Sequence, residues 1–449
     1  MRLAAIVGAA NVLTDPDLKR AYEHDLTGRF SGQSLLVVRP AGTVEVAAVL
    51  AACAASGVPV VPQGGHTGMV GGGTPRDGEV VLSLARLESL ERVDRYAAQV
   101  TAGAGVTLER LQSHVLESGF ELAVDLGARS AATIGGMVAT DAGGPLAVRH
   151  GTMRAQVAGL EAVLPTGEVV TRLAGLLKDN AGLDLPSLLV GSEGVLAVIT
   201  RVRLRLVPRR SRRTTALLGV ASMEQALRVL DRLRATAPSL EAVDWFEPAG
   251  LRHVCARLGV PGPFAQEYPV YLVVDCAADE DPTEQLAPVG ELVEASALAS
   301  AEADRRALWL YREAHNETLR SLGVPLKLDV SVPVPSLPRL GDSVRALLAE
   351  LSPEAELVLF GHLGDGNAHV NILGTGDRGE EVEEAVLRLV AALGGSISAE
   401  HGVGIAKARW LRLCRSQEEI AVMERLKDAF DPGWILSPGR VLERPPATS

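Results

Sequence analysis

Residues 63–73 read QGGHTGMVGGG, and the apolar run VPVVP at 58–62 leads into them. Six of these eleven residues are glycine: Gly64, Gly65, Gly68, Gly71, Gly72 and Gly73. Backbone this bare can run close against another group and turn its N–H groups inward, and phosphate is the usual group held that way. A Rossmann fingerprint is the obvious rival, but that motif opens directly into a helix. Here Thr74-Pro75 follows three glycines, which is a poor helix start. GAGVTL at 103–108 lacks the third glycine of the fingerprint. A loop serving only tight turns is the plain alternative. Two more glycine-rich segments in the same half of the chain weaken it: TIGGMVATDAGG at 133–144 and LVGSEGVLAVIT at 189–200.

Around these loops the pattern alternates. SLLVVRP (34–40), VPVVP (58–62), EVVLSLARL (79–87) and AAQVTAGAG (97–105) read as strands. A helix is expected over 44–55 with Thr43 as its N-cap, and another after Thr107 that ends at Gly119. RVRLRLVP (201–208) alternates strictly and puts Arg201, Arg203 and Arg205 on one face. RRSRR at 209–213 then reads as a linker. Beyond it strands and helices alternate without glycine loops, which predicts an α+β domain whose sheet is covered on one face.

With 449 residues the chain needs more than one core. A net charge of -11 and an aromatic content of 3% argue against nucleic acid and an anionic membrane as partners. Cys53, Cys255, Cys276 and Cys414 are scattered, which fits neither a disulfide framework nor an iron–sulfur site. No apolar run reaches about 18 residues, so no transmembrane segment is expected. The N-terminus is too weakly flanked for a signal peptide, so a cytoplasmic location is expected.

PQGGHTGMVGGG (62–73), DLGARSAATIGGMVATDAGG (125–144) and KDNAGLDLPSLLVGSEGVLAVIT (178–200) together carry a resemblance. In order and in detail they resemble the flavin-binding half of the vanillyl-alcohol oxidase / p-cresol methylhydroxylase (PCMH) superfamily. Within it the chain is most similar to the D-2-hydroxyglutarate and D-lactate dehydrogenase branch, over residues 25–442. The resemblance implies an α+β fold: a two-part PCMH-type FAD-binding domain at 1–208, an α+β substrate and metal-binding cap domain at 209–410, and a tail at 411–449 that packs back on the FAD domain. It implies FAD held by Pro62, Gln63, Gly64, Gly65, His66, Thr67 and Gly68, with the N–H groups of Gly64, Gly65 and Gly68 on the pyrophosphate. Gly135, Gly136, Thr140, Gly143, Gly194 and Ile199 would line the rest of the cofactor.

His66 stands where that branch usually has asparagine. In other oxidases of the superfamily a histidine here carries a covalent bond to the flavin, and an imidazole is a competent nucleophile. The alternative is a hydrogen-bonding histidine and a non-covalent FAD. Both stay open at this point.

A second constellation lies in GHLGDGNAHVN (361–371). Gly364-Asp365-Gly366 is a turn signal, so two strands should meet there and bring His362 and His369 to one end. Asn371 shares the strand face of His369. Two histidines near one turn make half a transition-metal site or two ordinary surface residues. Glu400 and His401 follow in SISAEHGVG (396–404). The resemblance implies that His362, His369 and Glu400 hold a divalent metal of the zinc type, that Asn371 contacts substrate, and that His401 is the general base.

A helix is expected over 303–323, with Arg312 and Asn316 on one face. Lys327 follows in the alternating run PLKLDVSVP. A solvated helix face and an ordinary salt bridge would explain either basic residue alone. The resemblance implies instead that Arg312 and Lys327 bind substrate carboxylates and that Asn316 contacts substrate, in place of a threonine common in the hydroxyglutarate enzymes. The implied reaction is oxidation of a small-molecule D-2-hydroxy acid to the 2-oxo acid by hydride transfer to FAD. Electron-transferring flavoprotein, a quinone or oxygen would each suit as electron acceptor, and family analogy suggests a homodimer. A covalent-flavin oxidase of an alcohol or sugar using oxygen is the competing enzyme class. An inert flavin-bearing subunit is the competing non-enzyme, and it would be expected to have lost the metal and base residues that this chain keeps.

Overall fold

A computed structural model describes residues 3–444. The first two residues of the expected 1–208 domain and the last five of the expected 411–449 segment lie outside the described residues. The chain divides into two compact units. One comprises the chain up to Gly143, His150–Arg209 and the chain from Glu400 on; the other comprises Gly144–Arg149 and Arg210–Ala399. The last change of unit therefore falls between Ala399 and Glu400, ahead of the 410/411 boundary expected from sequence, and Glu400 and His401 belong to the first unit.

The first unit has two four-stranded sheets. In one, Leu36–Val38, Val80–Ser83 and Val60–Gln63 lie parallel, with the short Val12–Leu13 antiparallel at the edge. Val80–Ser83 is buried at every position, as a continuous apolar run in a parallel sheet requires. The helix Thr43–Ala55 packs Val46, Val49, Leu50 and Cys53 inward. Its N-cap is Gly42, not Thr43. The Thr43 hydroxyl instead donates to the Glu161 carboxylate at 2.6 Å, a charge-assisted hydrogen bond. Thr107 does cap its helix, accepting from Arg110 N–H.

The second sheet is antiparallel, in the order Gln99–Gly103, Val198–Arg205, Val157–Val163, Val169–Arg172. Arg201, Arg203 and Arg205 share a face as expected, and all three are spent on the protein. Arg201 pairs with Glu91, Arg203 with Asp94 at 2.9 Å, and Arg205 donates to the Ala155 carbonyl at 3.0 Å.

In the other unit seven antiparallel strands run Ala295–Ala299, Arg212–Val220, Val270–Ala278, Leu240–Phe246, Glu356–His362, Asn367–Leu373, Leu326–Ser331. The expectation of a sheet covered on one face is not met. Leu240–Phe246 is buried at every position and Val270–Ala278 at all but the last, so the central strands are covered on both faces. Their unbroken apolar runs are what two-sided burial needs.

The helix expected over 303–323 is also interrupted. It forms as Glu302–Glu313 and His315–Ser321, parted at Ala314. The break seats His315 in the apolar core, its ring centroid 5.3 Å from that of Phe246 and 4.8 Å from that of Phe360. Burial pushes its pKa down to about 3, so it is neutral there.

The chain from Glu400 on is tied to the first unit by buried charge. The Lys427 ammonium donates to Asp431 and to the carbonyls of Val195 and Leu436, the last two both at 2.7 Å. Lys427 and Asp431 are each 1% exposed. Removing one partner of such a pair strands the other charge out of water. Lys427→Ala should therefore lower the unfolding free energy by about 3–5 kcal/mol in urea melts. Asp431→Asn keeps an acceptor for the Ile435 and Leu436 N–H groups, and its loss of stability should be much less than additive with that of Lys427→Ala; full additivity would contradict the pairing.

Candidate functional site

The first unit brings the three glycine segments into contact. A side chain on Gly64 would run into the Thr133 hydroxyl, and one on Gly65 into the Ala131 carbonyl. Gly191 and Glu193 donate backbone N–H groups to Val138 and Ala139, at 3.0 and 2.7 Å. Gly194, at φ +71°, lies against Pro62. Gly64 and Gly65 are thus required by protein packing, whereas Gly68 and Gly72 border open space. Gln63 closes the loop on itself, its amide N–H donating to Gly73 and Tyr22 carbonyls at 2.9 and 3.0 Å.

The loop fits an anion. Among the described residues, no backbone N–H from Gly64 to Gly73 donates a hydrogen bond to the protein. Most of the run is half-buried and Gly68 is exposed, so these unspent donors stand open to an anion such as a pyrophosphate. Among the described residues, the buried hydroxyls of Thr133, Ser192 and Ser437 in the same unit also lack a protein partner. Gly135 and Gly136 lie in the first turn of the helix Ile134–Ala139 and Thr140 caps its end. Gly135 is required where backbone passes Ala104, and Ile199 is buried in Val198–Arg205.

His66 adopts a left-handed backbone (φ 54°), and its ring faces protein. Nε2 lies 3.4 Å from the Thr74 hydroxyl, and the ring also bonds the Ala21 backbone. Burial lowers its pKa, against the pull of the Ala21 carbonyl and Asp25.

The chain from Glu400 on packs onto these loops. Gly143 passes so close to the Glu400 carboxylate that a Cβ there would lie 3.0 Å from it. Ile405 and Ala406 donate to the Val70 carbonyl at 2.9 and 3.1 Å. Glu193, in the third glycine segment, accepts from Val403 and Gly404 N–H at 2.7 and 2.8 Å, holding the turn that follows His401. Burial raises the Glu193 pKa, opposed by those two N–H bonds and by Lys407. Arg440 reaches back to the first loop. It makes a two-pronged pair with Glu79 at 2.8 Å and donates to the Gly72 carbonyl at 2.9 Å.

In the other unit the turn at Gly364–Gly366 joins Glu356–His362 to Asn367–Leu373, and the rings of His362 and His369 sit 5.6 Å apart. Each histidine has a carboxylate directly across the sheet. Asp244 is opposite His362, and Asp329 is opposite His369. Asp244 Oδ1 is hydrogen-bonded to His362 Nδ1 at 2.7 Å, whereas Asp329 Oδ1 approaches His369 Nδ1 at 3.4 Å with an angle that falls short of a hydrogen bond. Asn367 steadies Asp329 by donating to it at 2.8 Å. Burial drives the His369 pKa down to about 3. An imidazole whose Nδ1 is held by a carboxylate presents Nε2 as its ligating nitrogen, and neutral imidazoles suit zinc-like divalent metals. The donor set therefore fits a metal.

Arg312 is no solvated helix face. It is 6% exposed, lies over the Phe360 ring at 4.7 Å, and pairs through Nε with Asp244 Oδ2 at 3.0 Å. Burial works against the Asp244 carboxylate, but His362 and Arg312 outweigh it and hold its pKa below the ordinary range. Asn316, across the helix break and exposed, accepts from Lys327 Nζ at 2.7 Å. Burial lowers the Lys327 pKa to about 8. Asn371 is buried opposite Lys327, and its amide oxygen has no partner among the described residues.

Sequence reading passed over Asp244, Glu193 and Arg440. For Asp244 a signal existed: it is a buried acid within the apolar strand LEAVDWF. Glu193→Gln leaves one of two N–H groups facing an amide instead of an acceptor. Hydrogen exchange at Val403 and Gly404 should then quicken by about tenfold or more, the equivalent of about 1–3 kcal/mol. Unchanged exchange would show that the carboxylate does not hold the turn.

Comparison with known proteins identifies the family. Residues 34–172 match the FAD binding domain family and residues 209–441 the C-terminal domain of FAD linked oxidases. D-2-hydroxyglutarate dehydrogenase of Xanthomonas citri pv. viticola is 34% identical, over 99% of this chain and 96% of its own. The mitochondrial D-2-hydroxyglutarate dehydrogenase of Bos taurus is 37% identical, over 98% and 83%. Among solved structures, alkyldihydroxyacetonephosphate synthase superposes with a TM-score of 0.75 at 17% identity, over 97% of this chain and 84% of that one. 4-Ethylphenol oxidase from Gulosibacter chungangensis does so with 0.75 at 16%, over 99% and 96%. At those identities the two structures speak for the PCMH-type fold alone. Among the described residues no helix is long and apolar enough to cross a membrane. This chain belongs to the FAD-linked oxidases, in the branch of FAD-dependent D-2-hydroxyacid dehydrogenases acting on CH–OH groups.

Proposed function

We propose that the protein oxidises a D-2-hydroxy acid, such as D-2-hydroxyglutarate or D-lactate, to the 2-oxo acid with FAD and a divalent metal. The observation that carries the metal is the doubled cross-strand pairing, His362 with Asp244 and His369 with Asp329. In this reading His362 and His369 hold the metal, with Glu400 as the carboxylate that the family resemblance adds. The chemistry the bound groups supply is hydride acceptance for the flavin and Lewis acidity for the metal.

The chain's own residues bind and orient. Arg312 and Lys327 hold carboxylate groups, the first as a planar fork and the second as a point charge. With its pKa at about 8, Lys327 remains mostly charged at neutral pH. Asn316 fixes the direction of that ammonium through the bond at 2.7 Å. The unpartnered amide oxygen of Asn371 accepts from a substrate donor. His401 takes the proton of the 2-hydroxyl as general base, while the turn after it is held by Glu193. FAD is held without a covalent bond, because the His66 ring is engaged by Thr74 and the Ala21 backbone. That engagement disfavours the covalent-flavin oxidase.

Chelator treatment of the FAD-loaded protein, followed by anaerobic mixing with a D-2-hydroxy acid, tests the reading. Flavin reduction should slow by about 100-fold or more, since Lewis-acid stabilisation is worth several kcal/mol, and zinc should restore it. An unchanged rate would overturn the metal role. On denaturing the same sample all the flavin should stay in solution; flavin in the precipitate would overturn the non-covalent reading.

A further inference from the structure

Asp244 makes two contacts that pull on it differently. Through Oδ1 it meets an imidazole, which can place its proton on either nitrogen. Through Oδ2 it meets a guanidinium, which is never anything but a cation and a donor. That second contact is an ion pair at 3.0 Å whose angle falls short of a hydrogen bond, so its strength lies in the charge. Asp329 differs. It faces His369 and the Asn367 amide.

We propose that Asp244 is a positioning residue that keeps His362 in the Nδ1–H tautomer, and that Arg312 makes this role depend on a full carboxylate. The inference rests on the metal reading above. A carboxylate offers an acceptor to both neighbours at once. An amide offers one acceptor and one donor group, and Arg312 dictates which way it turns. The amide oxygen faces the guanidinium, and the NH2 group is left to donate to His362 Nδ1. His362 must then carry its proton on Nε2, the nitrogen a metal would need. The isosteric change Asp244→Asn thus disables His362 as a ligand without replacing it.

The test uses FAD-loaded, metal-free protein and zinc alone as the probe, with affinity measured by competition against a chromophoric chelator. D244N should bind zinc about 10–100-fold more weakly than the unaltered protein, the range for losing a partner of a ligating histidine. Removing the cation that orients the amide should undo part of this: D244N with R312Q should bind at least about fivefold more tightly than D244N. R312Q alone should leave zinc affinity within about twofold, because Asp244 still holds His362. If the pair with R312Q does not fold, R312M serves in its place. Nitrogen-15 shifts of labelled histidine in the metal-free protein give the tautomer directly. His362 should be Nδ1–H in the unaltered protein and Nε2–H in D244N. D244N that binds zinc normally, or that is not improved by loss of the Arg312 charge, would overturn the inference. Unaltered protein that takes up no zinc at all would overturn the metal reading itself.

Discussion

Backbone without side chains is the constraint on which the first unit depends. Gly64 and Gly65 can lie against Ala131 and Thr133 only because they carry no Cβ, and Gly194 meets Pro62 on the same terms. Among the described residues the N–H groups from Gly64 to Gly73 are unspent on protein. Donors left open in this way suit an anion, and the proposed occupant is the FAD pyrophosphate. The chain from Glu400 on then locks the loops. Arg440 with Glu79, Lys427 with the Val195 carbonyl, and Glu193 with the Val403–Gly404 backbone all tie late sequence to early sequence. Cofactor loops and the turn after His401 therefore belong to one packed body.

The other unit is organised around buried charge. Asp244, Arg312, His362, Asp329 and His369 are all less than a tenth exposed. Apolar residues of similar volume would serve stability as well or better, since desolvating ions consumes most of what their attraction returns. Such a cluster is what a site needs when it must present ligating nitrogens and a carboxylate-binding fork in fixed directions.

Much of this was legible in the residues and some was not. The glycine segments were legible because local density of glycine is a local signal. The strand pair around Gly364–Gly366, with His362 and His369 at one end, followed from turn chemistry and a period of two. Asp244 was not, because it lies 118 residues from His362 and no local pattern fixes the register that pairs them. The break at Ala314 was hidden by a run of good helix formers, and burial of His315 overrode them. The one-sided sheet was a misreading of available information: VYLVV and LEAVDWF do not alternate, and both faces are covered. The boundary set at 410 missed the return to the first unit at Glu400, since the SISAEHGVG stretch has no composition shift to mark it.

The central claim is that the flavin takes its electrons from a hydroxy acid of one hand. The most direct measurement is anaerobic mixing of the FAD- and zinc-loaded protein with D- and L-2-hydroxyglutarate in parallel, following the yellow flavin absorbance. Bleaching by the D-acid, with formation of the 2-oxo acid and no bleaching by the L-acid, is the predicted result. Equal bleaching by both hands, or none across D-2-hydroxy acids of different length, would contradict the account.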